Sequence, residues 1–119
     1  MLAEARARFV RLAPAQAAAA QAAGALLVDI RGDDQVRTNG KIPGSIRVPR
    51  NVLEWRLDPA CSARDVRLAD PSATIVVVCQ EGYQSSLAAS NLHDLGLRHA
   101  TDLEGGFEAW RAHGLPVER

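Results

Sequence analysis

Apolar positions in this chain fall in short β-branched or leucine-rich runs, separated by alanine-rich or polar stretches that carry glycine and proline. Thr74-Ile75-Val76-Val77-Val78 is an unbroken β-branched run, the pattern of a buried strand. Ala25-Leu26-Leu27-Val28-Asp29-Ile30 predicts a second buried strand, ending in the charged pair Asp29 and Arg31. Shorter strands are expected over Phe9–Leu12, over Ser45–Val48 (limited by Pro49) and over Ala100–Leu103. Between them the period becomes helical. Residues from about Leu2 to Val10 read as a short N-terminal helix or extension. Pro14 suits a first helical turn, Ala15–Ala23 has very high helix propensity, and Gly24 stands at the C-terminal cap. Asn51 is placed to cap a helix over Val52–Leu57, which Asp58-Pro59 stops. A longer helix is expected from Gln84 to Leu95, with Leu87, Ala88, Leu92 and Leu95 on one face and Gly96 at its end. A last helix runs from Phe107 to His113, between the tight turn Gly105-Gly106 and Gly114. Gly32–Gly44 reads as a polar loop with room for one helical turn, and Cys61–Pro71 as a polar connection. Strands alternating with helices imply an α/β fold built on a parallel sheet with right-handed crossovers.

Length and composition narrow the function classes. The 119 residues fit one domain, 1–119, large enough to bury a core without disulfide or metal staples. The formal net charge is zero, so there is no basic surface for nucleic acid. The two cysteines, Cys61 and Cys79, form no CxxC pair, and His93, His99 and His113 are scattered. No metal-ligand spacing is present, no cofactor is implied, and a disulfide framework is not expected. Arg6, Arg8 and Arg11 ahead of the apolar stretch Leu12–Leu27 loosely mimic a secretory signal. Glu4, Pro14, Gln16 and Gln21 interrupt that pattern, and the stretch is short of the ~20 apolar residues of a membrane span. A cytoplasmic protein with no membrane role is therefore expected.

The candidate chemistry sits after the 74–78 run. Cys79 stands at its end and is followed by Gln80, Glu81, Gly82, Tyr83, Gln84 and Ser85, where the next helix begins. That is the C-terminal edge of a parallel strand, where open α/β sheets place their sites. Amides of such a loop can converge on the sulfur, and the helix N-terminus adds partial positive charge, both favouring thiolate. Gly82 permits a positive φ that turns amides inward, and Ser85 and Ser86 can add hydroxyl donors or cap the helix. The alternative is that Cys79 is a small buried hydrophobe ending a core strand.

Four segments together resemble the rhodanese-like family in its single-domain form. They are Leu27-Val28-Asp29-Ile30-Arg31, Gly40-Lys41-Ile42-Pro43-Gly44-Ser45, Cys79-Gln80-Glu81-Gly82-Tyr83-Gln84-Ser85, and Gly105-Gly106-Phe107 with Trp110 and Gly114-Leu115-Pro116. The resemblance implies a three-layer α/β fold, a central mostly parallel sheet with helices on both faces. It also implies a sulfurtransferase that moves sulfane sulfur from thiosulfate or a persulfide donor to a thiol or cyanide, through a persulfide on Cys79. Residues 80–85 would bind substrate, and no protein partner is indicated. Such chemistry needs an attacking thiolate and a cradle of N–H donors, so the lack of a nearby histidine is no objection.

Two departures matter. The loop has no basic residue and carries Glu81, which would repel an anionic donor if it faced the site. Lys41 replaces the histidine of the family's turn. Arg50 and Arg56 are candidates to supply the missing positive charge, while Trp55 reads as a packing residue and Tyr83 as a rim of the pocket. Asp29 and Arg31 read as a structural pair under the loop, and Cys61 as a bystander thiol. Phosphatase or arsenate chemistry would need a loop arginine to clamp a tetrahedral dianion, and residues 80–86 have none. A non-turnover persulfide carrier, sensor or protein-binding module of the same fold remains the second reading.

Overall fold

The β-branched run Ile75–Val78 forms β3 and lies at the centre of the sheet, its four residues buried on both faces. This explains why the run shows no polar alternation. The computed structural model describes residues 1–119. Its sheet has four parallel strands in the order β2-β1-β3-β4, with β1 at Leu26–Asp29, β2 at Ile46–Arg47 and β4 at Ala100–Asp102. The pleat sends Val28, Ile75 and Val77 to one face and Leu27, Val76 and Val78 to the other.

Each face is covered by helices. Leu53 and Leu57 of α4 (Leu53–Leu57) and Ala88, Ala89 and Leu92 of α5 (Gln84–Asp94) pack on the first face. Ala17 of α2 (Pro14–Ala22) and Phe107 and Trp110 of α6 (Gly106–Ala112) pack on the second. Full burial of a side chain such as Phe107 contributes about 1.5–3 kcal/mol. The short α1 (Leu2–Arg6) packs against α5, with Ala5 buried. The arginine- and alanine-rich N-terminal stretch is thus folded as α1 and α2, and no helix is long and apolar enough to cross a membrane.

Several expectations are corrected. The Gly32–Gly44 stretch holds a seven-residue helix, α3 (Asp33–Asn39), with no buried residue. Its start is held by the Gln35 side chain, which accepts the Gly32 N–H at 3.2 Å. Phe9–Leu12 forms no strand; only Leu12 bridges to Leu103. Asn51 caps nothing: it lies within a 3-10 turn at Arg50–Val52, and α4 begins at Leu53. On α5 the buried face is Ser85, Ser86, Ala88, Ala89 and Leu92, while Leu87 and Leu95 are half-buried. Small residues face the sheet because the helix approaches it closely where the serines find a polar partner, described below.

Candidate active site

Cys79 follows β3 directly and is nearly buried, at 7% exposure. The Gly82 N–H donates to Sγ at 3.1 Å and the Ser85 N–H donates to it at 3.3 Å. Ser85 lies in the first turn of α5, so the sulfur also sits at the positive end of that helix. Gly82 adopts φ +89°, as expected, and a Cβ there would stand 2.9 Å from the Gly105 nitrogen.

The loop's carbonyls are tied off on the side away from the sulfur. The Phe107 N–H donates to the Cys79 carbonyl at 2.8 Å and the Glu108 N–H to the Gln80 carbonyl at 3.1 Å. These come from the start of α6, which approaches the loop so closely that a Cβ on Gly106 would lie 2.5 Å from the Cys79 oxygen. Arg6 and Arg11 both donate to the Gly82 carbonyl at 3.0 Å. With carbonyls held outward, the amides are left facing inward.

Ser85 and Ser86 do not use their hydroxyls as sequence reasoning expects. Neither caps α5 and neither reaches the sulfur: both donate to Oδ2 of Asp102, at 2.7 and 2.8 Å. Asp102 is fully buried at the end of β4 and also accepts from Arg11 Nε (2.8 Å) and Nη2 (3.1 Å). Arg6, Arg11 and Asp102 form a polar cluster that the sequence reading does not single out. Its signal is an aspartate closing an apolar strand, as Asp29 closes β1.

Asp29 and Arg31 do form a buried pair under the loop, Nη2 to Oδ2 at 2.8 Å. Arg31 also donates to the Gly40 carbonyl (2.8 Å) and to Gln80 Oε1 (3.2 Å), and its guanidinium lies 4.0 Å from the centre of the Phe107 ring. Gln80 in turn donates to Glu108 Oε2 at 2.6 Å. This hydrogen bond, with Arg111 and Arg31 nearby, holds the Glu108 carboxyl below its ordinary 4.5. A carboxyl lowered in the folded state stabilises the fold above its unfolded value, and that contribution is lost as pH falls through the lowered one. We therefore expect Glu108→Gln to lower the urea midpoint at neutral pH. The difference from wild type should vanish below the lowered Glu108 value; a gap that persists there would show that charge is not the cause.

In front of the sulfur opens a cavity of about 880 Å3. Gln80, Glu81, Tyr83 and Gln84 line it, whereas Gly82 and Ser85 are buried and meet the sulfur through their amides. Tyr83 is 63% exposed at the rim, and Glu81 is exposed yet borders the cavity. The opposite wall adds Arg31, Arg47 and Arg50, with Asp33 and Gln35 of α3. Arg50 is bound to Glu54 at 2.9 Å and Arg47 to Asp33 at 3.1 Å, leaving Arg47 Nε buried without a partner. Guanidinium donors thus come from the β1–β2 side rather than from the loop.

Arg56 does not line this cavity. It borders a second groove with Trp55, which is 65% exposed rather than packed. Leu53 and Leu57 occupy the inward positions of α4, so Trp55, midway between them, points outward. Lys41 lies at the C-terminus instead, its Nζ 3.4 Å from Glu118. Cys61 and Cys79 are both free. No group of three or more His, Cys, Asp or Glu residues could hold a metal ion.

Comparison with known proteins gives a consistent picture. Residues 13–113 match the family model described as a rhodanese-like domain. The thiosulfate sulfurtransferase GlpE of Pseudomonas entomophila is 38% identical over 104 residues, covering 87% of this chain and 86% of that protein. A structure from Rhodopseudomonas palustris, described as a protein of unknown function and possible tyrosine phosphatase, superposes with a TM-score of 0.90 at 36% identity. It covers 98% of this chain and 90% of its own. The human single-domain sulfurtransferase TSTD1 shares the fold, with a TM-score of 0.72 at 23% identity over 86% of this chain and 95% of its own.

Proposed function

Since the chain belongs to the rhodanese-like domain family and is a rhodanese-type sulfurtransferase, we propose that Cys79 carries the transferred sulfur as a persulfide, with residues 1–119 acting as one domain. The observation that supports this most is the Cys79 sulfur itself. It accepts two loop amides, stands at the start of α5 and faces a cavity. Amides placed this way serve an anionic sulfur as an oxyanion hole serves oxygen, and losing one typically costs about 3 kcal/mol of barrier.

The reaction balances without an added oxidant or reductant. The Cys79 thiolate attacks the sulfane sulfur of thiosulfate. The S–S bond breaks, and sulfite leaves with its electron pair. An acceptor thiolate or cyanide then attacks the outer sulfur of the Cys79 persulfide, taking it as a persulfide or as thiocyanate and returning the thiolate. A persulfide donor enters the same sequence, with its thiolate as leaving group. Gln80, Glu81, Tyr83 and Gln84 meet the substrate, while Gly82 and Ser85 hold the sulfur. Arg31, Arg47 and Arg50 line the cavity, each paired with a carboxylate (Asp29, Asp33 and Glu54), so they add hydrogen-bond donors for an anionic donor rather than net positive charge. The working compartment is the cytoplasm, in keeping with two unpaired cysteines.

Tyrosine-phosphatase chemistry is disfavoured on this site. Residues 80–86 hold no guanidinium to clamp a phosphoryl group, and the nearby Arg31 and Arg50 are committed to Asp29 and Glu54. Intact-mass spectrometry after mixing reduced protein with thiosulfate tests the reading. A gain of one sulfur, about 32 Da, is expected on wild type and equally on Cys61→Ser. No gain on wild type from thiosulfate or from a persulfide donor would sink it.

A further inference from the structure

The loop from Cys79 to Ser85 carries one formal charge, Glu81, and it is negative. Two arginines from the segment ahead of the matched residues 13–113 hold the same loop from behind. Arg6, the last residue of α1, donates Nη2 to the Gly82 carbonyl at 3.0 Å and Nε to Ser86 Oγ at 2.9 Å. Arg11 donates Nη2 to the same carbonyl at 3.0 Å.

The two cations differ in how they are compensated. Arg11 is neutralised by Asp102 at 2.8 Å, with Glu104 3.9 Å away. Arg6 has no carboxylate within ion-pair distance. It is half-buried, so its charge is less screened than that of a surface arginine. Both of its acceptors adjoin the sulfur. Gly82 gives its carbonyl to Arg6 and its N–H to Sγ, and Ser86 follows Ser85, which gives the other N–H. Glycine at φ +89° has wide backbone freedom, so the direction of its amide needs an outside restraint. The Arg6 hydrogen bonds supply one.

We propose that Arg6 is a positioning residue for the chemistry at Cys79: together with Arg11 it holds the Gly82 carbonyl, and so the loop whose amides meet the sulfur, and it alone of the two brings a positive charge with no carboxylate partner, the charge that the loop itself lacks. The inference rests on Cys79 being the sulfur acceptor. It makes the N-terminal segment part of the working site, although no residue of that segment lines the cavity. Arg8 anchors the segment separately, to Ser90 and to Asp94 of α5, so changing Arg6 leaves the segment docked.

The test reads the potential at the sulfur without requiring sulfur transfer. In the 119-residue Cys61→Ser protein, where Cys79 is the one remaining thiol, the alkylation rate is measured with iodoacetate, an anion, and with iodoacetamide, which is neutral. Arg6→Gln is expected to lower the iodoacetate-to-iodoacetamide rate ratio by about two- to fivefold, the upper figure being the limit for one charge about 4 Å away in water. Arg6→Lys, which keeps the charge, should stay within roughly twofold of the parent. An unchanged ratio in Arg6→Gln overturns the proposal, including the case in which both reagents slow equally. Thiosulfate loading of the parent is followed in parallel. If the parent takes up no sulfur, the role of Cys79 fails, while the ratio still reports on Arg6.

Discussion

Cys79→Ser is expected to take up no sulfur from thiosulfate and to turn over on the order of 10^6-fold more slowly than wild type, the scale seen when a covalent nucleophile is removed. The substitution changes one atom in a site whose amides can still bond the smaller oxygen, so the fold should be retained. Transfer fails because an alcohol is scarcely ionised near neutrality and the site offers no histidine to activate it. His93 is bound to the Ala100 carbonyl at 2.8 Å and His113 to the Ala109 carbonyl at 2.9 Å, and no histidine lines the cavity. Thiol chemistry needs no such base, because a thiol ionises readily enough to supply its own nucleophile. Steady-state thiosulfate–cyanide turnover, measured with a circular dichroism spectrum to verify folding, checks the expectation. Turnover above a tenth of the wild-type rate would move the nucleophile elsewhere, with Cys61 next to be tested.

The largest loss of stability is expected from Asp102→Ala, about 3–5 kcal/mol, the cost of removing one partner of a buried charge pair. Asp102 accepts four hydrogen bonds, from Arg11 Nε and Nη2 and from the Ser85 and Ser86 hydroxyls. Truncation leaves the buried Ser85 hydroxyl without an acceptor, Ser86 with only the Gly82 carbonyl at 3.4 Å, and the Arg11 guanidinium with the Gly82 carbonyl and the exposed Glu104 at 3.9 Å but no close carboxylate. Part of this penalty belongs to the stranded arginine rather than to the pair. Arg11→Leu combined with Asp102→Ala should therefore lose less than the sum of the two single changes. Urea unfolding of the four proteins measures this. A loss under about 1 kcal/mol for Asp102→Ala would mean that the cluster tolerates water in place of the carboxylate.

Much of the architecture was legible because it is written in local pattern. The Ile75–Val78 run could bury itself nowhere but in a central strand, and Cys79 therefore had to fall at the sheet edge. Gly82 and Gly105-Gly106 marked turns through their backbone freedom, and all three adopt positive φ. Asp29 and Arg31 are recognisable as a pair because a single residue, Ile30, separates them. The helix Asp33–Asn39 exceeds the single turn that its sequence suggests, for a related reason. It buries nothing, so it carries no apolar stripe, and its signal is reduced to the Gln35 contact at its start.

The sequence by itself thus determined the alternation of elements, the central strand and the loop that presents the cysteine, since each depends on neighbours a few residues apart. The tertiary structure alone decided what holds that loop. Arg6 and Gly82 are 76 residues apart, Arg11 and Gly82 are 71 apart, and Arg11 and Asp102 are 91 apart. No periodicity encodes such meetings. They arise because α1 docks on α5 and Leu12 bridges to Leu103, which brings two arginines against a carbonyl that backbone pairing leaves free.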